Sequence, residues 1–322
     1  MGLAKGSMQL LLDEAAREPF QGTVVMLGRQ SIYFTRDLLA RCASVRGVTL
    51  HDVGDASEAL TNPHGDLSAE QFFRALGFTN VHSMDVSSFE GADLVHDINL
   101  EVPPELHNRF DVIIDGGTLE HVFHFPQALA NIHSMLRPGG RVIHLSPSSN
   151  HMDHGFYMFC PTVFWDYYET NQYSICEFKM IKHSQDALRD PWEISRYTPG
   201  CLDQVAYGGL DSAMYAIFAV MKKEANSTSN RIPQQGYYRR VAWSQPTTDS
   251  TAETSRSLGD RLLDSSKNHD VARQLVLCSL SCYRALRYPA QTYVRCRNFL
   301  FTKTPFARLV KWSLPMKTIA RY

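Results

Sequence analysis

Three aspartates follow short apolar runs, at places where a carboxylate could contact a bound ligand. Asp85, Asp97 and Asp115 each come directly after such a run, and Gly28 follows a fourth one. If these runs are parallel strands, their carboxyl ends meet at one edge of a sheet, which is where doubly wound α/β proteins bind ligands. A lone aspartate in such a place is usually a turn residue. Three of them in register with a glycine turn predict a binding site.

Histidines gather in two loops that we expect to open on the same edge. His121 and His124 follow the fourth strand-like run of the chain, and His151 and His154 follow the fifth. Imidazole is the side chain whose ordinary pKa suits a general base near neutral pH. Although most loop histidines are structural, we expect His154 first, and His121 second, to act as a base or to position one.

The elements that must position these residues alternate between strand-length apolar runs and amphipathic helical stretches. Ser31 and Ser68 are the expected N-caps of two helices. The predicted strands are 23–27, 80–84, 93–96, 110–114, 141–145, 174–181 and 213–221, and the predicted helices are 8–17, 32–42, 69–76 and 125–136. This alternation predicts an α/β fold, doubly wound around a mostly parallel seven-stranded sheet.

Composition divides the chain into three parts. Residues 1–223 hold the predicted sheet, 224–257 are polar and predicted to be a linker or mobile loops, and 258–322 form a basic, mainly helical extension. Residues 271–322 hold ten basic and no acidic side chains, which leaves about −11 on the first 270. We expect this tail to pack on the acidic body or between subunits of a homo-oligomer. Peripheral contact with an anionic membrane remains the alternative.

Bulk properties exclude several classes of protein. Hydrophobic residues make up 44% of the chain and charged residues 20%, as in ordinary globular proteins. The apolar runs are shorter than a membrane span, and the first residues do not resemble a secretory signal. The seven cysteines never occur as C-x-x-C, which favours a reducing compartment over a disulfide framework or a zinc site. We therefore predict a soluble, cytoplasmic protein.

The segment 109–122, RFDVIIDGGTLEHV, is followed by a helix, by RPGG at 137–140 and by the strand RVIHLSP. This succession resembles the central part of class I S-adenosylmethionine-dependent methyltransferases, most closely over 80–160. The resemblance implies a Rossmann-like methyltransferase domain, S-adenosyl-L-methionine as the cofactor, and a small-molecule or glycan acceptor that is methylated on oxygen. Methylation of nitrogen and a binding protein without catalysis remain alternatives. We expect no nucleic-acid partner, because no base-recognition motif is present.

The same resemblance assigns roles around the cofactor. Relatives carry an acidic residue and alternating glycines after the first strand, whereas this chain reads MLGRQSI and keeps only Gly28. Gly28 is expected to allow close backbone approach, and Gln30 or Arg29 to bind the methionine carboxylate. A dinucleotide is not expected, because Gly-x-Gly-x-x-Gly is absent.

Carboxylates are expected to bind the nucleoside part of the cofactor. Asp85 would accept hydrogen bonds from the ribose hydroxyls if 47–77 is an insertion, and Asp52 is the weaker alternative. Asp97 would meet the adenine amino group. Asp115 would lie near the methionyl end, with Gly116 letting the acceptor approach.

The acceptor side is expected in the loops that carry the histidines. His154 or His121 would take the proton of the acceptor hydroxyl, and Tyr157 and Asn150 would contact the acceptor. In the aromatic run 156–168, Trp165 and Tyr168 are expected in the core. Glu120 and His121, with His151 or His154, could instead hold a divalent metal. We predict no metal, because Gly117 stands where related sites have a further glutamate.

Overall fold

The computed structural model describes residues 2–54, 67–206, 208–236, 238 and 318–322. The strands are β1 (Gly2–Leu3), β2 (Thr23–Leu27), β3 (Ser31–Ile32), β4 (Asn80–Asp85), β5 (Leu94–Val95), β6 (Phe110–Asp115), β7 (Leu136–Pro147), β8 (Ser174–His183), β9 (Glu193–Arg196), β10 (Met214–Lys222) and β11 (Thr318–Arg321). The helices are α1 (Lys5–Arg17), α2 (Arg36–Val45), α3 (Ala69–Ala75), α4 (Phe125–Met135) and α5 (Pro161–Thr170), with short 3-10 turns at Pro104–Leu106 and Leu119–His121.

Nine of these strands form one sheet in the order β11-β9-β8-β10-β7-β6-β2-β4-β5. Strands β5, β4, β2, β6 and β7 run parallel, and β10 is antiparallel to both β7 and β8. The predicted α/β class and mostly parallel sheet are confirmed, and all seven predicted strands are present. Strands β9 and β11 extend the sheet beyond β8 and were not predicted.

The central strands β2 and β6 lie side by side, and both are buried apolar runs, as expected of parallel strands covered on both faces. Leu27 pairs with Met84 of β4 on one side and with Asp115 of β6 on the other. This register places the residues that follow Leu27, Met84 and Ile114 at one edge of the sheet. The topology therefore brings the predicted site residues of these strands close together.

Helix starts follow the capping chemistry, with one correction. Ser68 caps α3 as predicted, in a capping box with Gln71. Ser31 does not cap α2, because Ser31 and Ile32 form β3 and pair with Gly2 and Leu3. The helix begins only after Thr35, whose side chain accepts a hydrogen bond from the Leu38 N–H at 3.2 Å.

The RPGG turn is part of the sheet, so β7 begins five residues earlier than predicted. Gly139 has φ +82°, a conformation that glycine adopts without strain. The Gly139 N–H donates to the Lys223 carbonyl at 2.7 Å, and the Lys223 N–H donates to the Gly140 carbonyl at 2.9 Å. These bonds extend the pairing of β7 with β10 to residues that precede the predicted strand 141–145.

The first part of the predicted linker or mobile loops, residues 224–231, is hydrogen-bonded to the sheet domain. The Thr228 N–H donates to the Asn171 carbonyl at 2.9 Å, and the Arg231 N–H donates to the Asn171 side chain at 3.1 Å. The Ser227 hydroxyl donates to the Gln172 carbonyl at 2.8 Å. These bonds hold the segment against the end of α5.

The chain divides into a unit formed by residues 1–198, 212–236 and 317–322 and a second formed by 199–211 and 237–316. The predicted boundary at 223 thus falls inside the first unit. The predicted helical extension lies outside the described residues, except for 318–322, which include β11. None of the helices in the described ranges is long and apolar enough to cross a membrane.

Candidate active site

A cavity of about 390 Å³ lies at the carboxyl edge of the parallel strands. Four of the predicted site residues line it: Gly28, Asp85, Asp97 and His121. Apolar side chains, Leu27, Met84, Val86, Ile98 and Val122, form much of the remaining wall. A volume of this size suits a ligand such as a nucleoside derivative.

Gly28 makes the turn out of β2. Its φ is +67°, a left-handed conformation that strains other residues. Its N–H donates to the Met84 carbonyl at 2.7 Å, which ties the turn to β4. On the other side the Thr118 hydroxyl donates to the Leu27 carbonyl at 2.5 Å. The turn is therefore held by β4 on one side and by the loop after β6 on the other, although it has only one glycine.

Gln30 and Gly116 pack against each other and do not line the cavity. A Cβ at position 116 would lie 2.8 Å from the end of the Gln30 side chain, so Gly116 leaves room for Gln30 in its present position. Gln30 is buried, and its Oε1 has no hydrogen-bond partner among the described residues. This atom is an acceptor whose donor is not supplied by the described part of the chain.

The two aspartates of the cavity wall keep acceptor oxygens available. No hydrogen bond joins the Asp85 carboxylate to another described residue. The backbone N–H and the side-chain amide of Asn99 both donate to Asp97 Oδ1, at 2.9 and 2.8 Å, and these bonds hold the pKa of Asp97 below its usual value. Asp52 is exposed, accepts a bond from the Gly54 N–H at 3.1 Å, and is not part of the wall.

Asp115 is fully buried, and both of its carboxylate oxygens are hydrogen-bonded to other residues of the protein. Its Oδ2 lies 2.9 Å from His144 Nδ1, and His144 Nε2 lies 2.7 Å from the Tyr168 hydroxyl. Its Oδ1 accepts from the N–H groups of Thr118 and Leu119 at 3.0 and 3.2 Å. Asp115 therefore fixes the turn that leads to Glu120. Direct contact of this carboxylate with a cofactor stays a prediction, and the cavity wall does not include it.

Glu120, His121 and His154 form a cluster next to the cavity. Their ligand atoms lie within 4.8 Å of one another. Glu120 Oε1 is 3.6 Å from His154 Nε2 and 3.9 Å from His121 Nε2. Burial, and then the charge of Asp115, raise the pKa of Glu120 to about 8. Burial, and then His154, lower the pKa of His121.

Close contact between two loops builds this cluster. A Cβ at Gly155 would lie 2.8 Å from the Glu120 carbonyl oxygen. The Tyr157 N–H donates to that carbonyl at 3.1 Å, and the Tyr157 hydroxyl donates to the Phe123 carbonyl at 2.7 Å. Tyr157 thus joins the loop after β7 to the loop after β6, and only glycine at 155 allows this approach.

The remaining predicted residues lie around the cluster or in the core. Asn150 donates to the Ala213 carbonyl at 2.6 Å, so its contact with an acceptor stays a prediction. His151 stacks edge-on against His154, and burial lowers its pKa to about 4. Tyr168 is in the core as expected, and Trp165 is half-buried against Phe178.

Sequence reasoning missed the polar role of His144 and Tyr168. The available signal was a histidine in the middle of the apolar run VIHL, where burial without a partner would be costly. The role of Thr118 in holding the Leu27 turn was also missed.

A family model described as a methyltransferase domain matches residues 33–192. The matched range contains β4 to β7, the aspartates of the cavity wall and both histidine loops. The chain belongs to this methyltransferase family. No curated protein matches the sequence.

Solved structures similar to this methyltransferase share little sequence with it. YcgJ of Bacillus subtilis is 12% identical with a TM-score of 0.37, and the match covers 67% of this chain and 98% of that one. A putative S-adenosylmethionine-dependent methyltransferase of Methanococcus maripaludis is 9% identical with a TM-score of 0.33, and the match covers 67% of this chain and 85% of that one. Phosphoethanolamine N-methyltransferase 2 of Haemonchus contortus was solved with phosphomonomethylethanolamine and S-adenosylhomocysteine. It is 11% identical with a TM-score of 0.33, and the match covers 68% of this chain and 53% of that one. These scores are low, and the family assignment depends on the domain match.

Membership of the family implies S-adenosyl-L-methionine as the cofactor of this methyltransferase, and the residues fit it. Asp85 offers a carboxylate with no described partner to a pair of hydroxyls. Asp97 offers a second carboxylate next to the apolar walls that a flat base requires.

Proposed function

We propose that this methyltransferase transfers a methyl group from S-adenosyl-L-methionine to a hydroxyl oxygen of a small molecule or glycan. One observation carries the proposal: His121 belongs both to the wall of the cavity and to the cluster with Glu120 and His154. A donor in the cavity and an acceptor at the cluster would therefore meet at one side chain. Bringing two reactants together in this way is the main contribution that a protein makes to such a transfer.

On the donor side, the chain's own residues bind and orient. The cofactor supplies a methyl group that is already activated on its sulfonium. Asp85 would accept hydrogen bonds from the ribose hydroxyls and Asp97 from the adenine amino group. Gly28, which has no side chain, would let the cofactor approach the backbone of the turn. Gln30 does not line the cavity, and its contact with the methionyl part stays a prediction.

On the acceptor side, the proton must leave as the new bond forms. His154 and His121 are the groups that would act as the base or position it, because they are the exposed members of the cluster. Tyr157 holds the two loops together and would fix their distance. Asn150 and Tyr157 stay our candidates for contact with the acceptor.

Calorimetry with S-adenosylmethionine and S-adenosylhomocysteine tests the donor half of the proposal. We expect one binding site per chain for each ligand. Failure of both ligands to bind would overturn the proposal. If S-adenosylmethionine binds but no S-adenosylhomocysteine is formed with a broad panel of hydroxyl and amine acceptors, the non-catalytic alternative is favoured. If only amines are methylated, N-methylation is favoured.

His154→Ala and His121→Ala test the acceptor half. Loss of a positioned base should lower turnover by roughly 10²–10⁴-fold. Donor affinity should change little, especially for His154, which does not line the cavity. Full turnover in both variants would show that the cluster does not serve the acceptor.

We also propose that the protein works in the cytoplasm, on the basis of its cysteine pattern. The four described cysteines, Cys42, Cys160, Cys176 and Cys201, are free thiols.

A further inference from the structure

The carboxylate of Glu120 is buried, and only one of its two oxygens, Oε2, is a buried atom without a hydrogen-bond partner in the described part of the chain. The side chain is 1% exposed. The nearest histidine nitrogens lie 3.6 and 3.9 Å from Oε1, which is too far for a hydrogen bond. A buried carboxylate left in this way is costly unless it takes up a proton or a positive charge accompanies it.

The same gaps suit atoms that share one ion. Ligands about 2.0–2.2 Å from a tetrahedral Zn²⁺ lie roughly 3–4 Å from one another. The two distances from Glu120 Oε1 to the histidine Nε2 atoms, 3.6 and 3.9 Å, are near this spacing, and the candidate ligand atoms of the cluster all lie within 4.8 Å of one another. One carboxylate and two imidazoles are ligands that divalent transition metals accept.

The arrangement is built by the fold. Gly155 is the neighbour of His154, and its lack of a side chain lets that loop contact the Glu120 carbonyl. The Tyr157 N–H donates to the same carbonyl and fixes the contact. His154 and His121 remain 48% and 39% exposed, so an ion held there would keep a position open towards solvent.

We propose that Glu120, His121 and His154 bind one divalent transition-metal cation, of the Zn²⁺ class, with an open coordination position. This replaces the sequence-based expectation that no metal is used.

The catalytic role of the cation rests on the proposed function. The two histidines would then hold the cation and would not take the proton themselves. The cation would polarise the acceptor hydroxyl and lower its pKa. The O–H bond breaks and its proton passes to solvent water. The oxygen lone pair forms the O–CH₃ bond while the S–CH₃ bond breaks, and S-adenosylhomocysteine leaves.

Zinc binding tests the cation site without any turnover. The full chain is dialysed against chelator, then equilibrated with Zn²⁺ in the absence of methyl donor, and its zinc content is measured. We expect the wild type to hold one more Zn²⁺ per chain than His154→Ala or Glu120→Gln. His124→Ala is the matched control, because His124 is an exposed histidine in the loop of Glu120 and His121 but is not a member of the cluster. This variant should hold as much zinc as the wild type.

Gly155→Ala keeps all three ligands and separates the loops. We expect its zinc affinity to fall at least about tenfold, as for loss of a group that orients metal ligands. Equal zinc content in the wild type and His154→Ala would overturn the cation site. His154 is exposed, so its replacement should leave the fold intact, and an unchanged thermal unfolding curve would verify this.

Calorimetry with S-adenosylhomocysteine on the same samples separates the two proposals. Zinc binding without donor binding would leave the cation site standing and overturn the proposed function. Donor binding with no difference in zinc content between the variants would overturn the cation site alone.

Discussion

Asp85→Ala isolates the contribution of one carboxylate to donor binding. Asp85 ends β4 beside the Gly28 turn and lines the cavity. Because no described residue donates a hydrogen bond to its carboxylate, the substitution removes no internal bond that the structure shows. We therefore expect the free energy of unfolding to stay within about 0.5 kcal/mol of the wild type.

The expected loss of affinity follows from the two ribose hydroxyls. Hydrogen bonds to a charged group are worth about 1.5–3 kcal/mol each, which sets an upper bound of about 6 kcal/mol for the pair. Water that enters the space left by the side chain recovers part of this. We expect a loss of about 2–4 kcal/mol, which is roughly a 30- to 1000-fold increase in Kd.

Isothermal titration with S-adenosylhomocysteine measures this change, and Asp52→Ala is the control. Asp52 has the spacing from Gly28 that relatives would suggest, but it is exposed and outside the cavity wall. Its replacement should leave Kd unchanged. If Asp85→Ala binds as tightly as the wild type while Asp52→Ala does not, the assignment of the ribose carboxylate is wrong.

Three further predictions concern stability and the tail. Arg141→Met should destabilise the fold by about 1.5–3 kcal/mol in chemical denaturation, because it removes the charge-assisted hydrogen bond from Arg141 to the buried Glu14, which keeps its ion pair with Arg17; a loss below about 0.5 kcal/mol would contradict this. Burial, and then Lys223, lower the pKa of His133 from 6.5 to about 4, so this residue is protonated first in the unfolded chain. The contribution of His133 to stability should be level above pH 6.5 and fall by about 1–2 kcal/mol towards pH 4. Because Glu120 and His151 also have shifted pKa values, the measurement is the difference in unfolding free energy between the wild type and His133→Gln, and a difference that does not change with pH would refute the cause. The tail, 271–322, lies outside the described residues except for 318–322. If the tail packs on the acidic body, sedimentation with anionic vesicles should show no binding. Binding that weakens as salt is added would support the membrane alternative.

Local signals were sufficient to predict the central strands. Each is an apolar run that ends at a glycine or an aspartate, and β2 was predicted with the bounds that the structure gives. The predicted ends of β4 and β6 differ from the structure by one residue. Because parallel strands end at one edge, the meeting of Gly28, Asp85 and Asp97 could also be predicted.

Pairings between distant segments could not be predicted in this way. Strand β9 is four residues long, and it pairs with β8 on one side and with β11, near residue 320, on the other. Neither strand has a long apolar run of its own. Ser31 carries a good capping side chain, yet its backbone pairs with Gly2, and that tertiary contact overrides the local preference.

The site shows the same limit at the level of side chains. The bond between Asp115 and His144 depends on the register of β6 and β7, which places these two residues opposite each other. A difference of one residue in that register would move His144 to the other face of the sheet. The loop contact made by Gly155 likewise depends on how two loops pack, and no local pattern reports it.

The buried aspartate explains how donor and acceptor sides are held together with so few glycines. Asp115 Oδ1 accepts the N–H groups of Thr118 and Leu119, and the Thr118 hydroxyl in turn holds the Leu27 carbonyl just before the Gly28 turn. The same short turn carries Glu120 and His121 on its far side. The Asp115 carboxylate therefore fixes the distance between the cavity and the histidine cluster. His144 contacts this carboxylate through Nδ1 and the Tyr168 hydroxyl through Nε2. Side chains around the fully buried Asp115 therefore shape this turn, and a change at Asp115 would disturb both halves of the site at once.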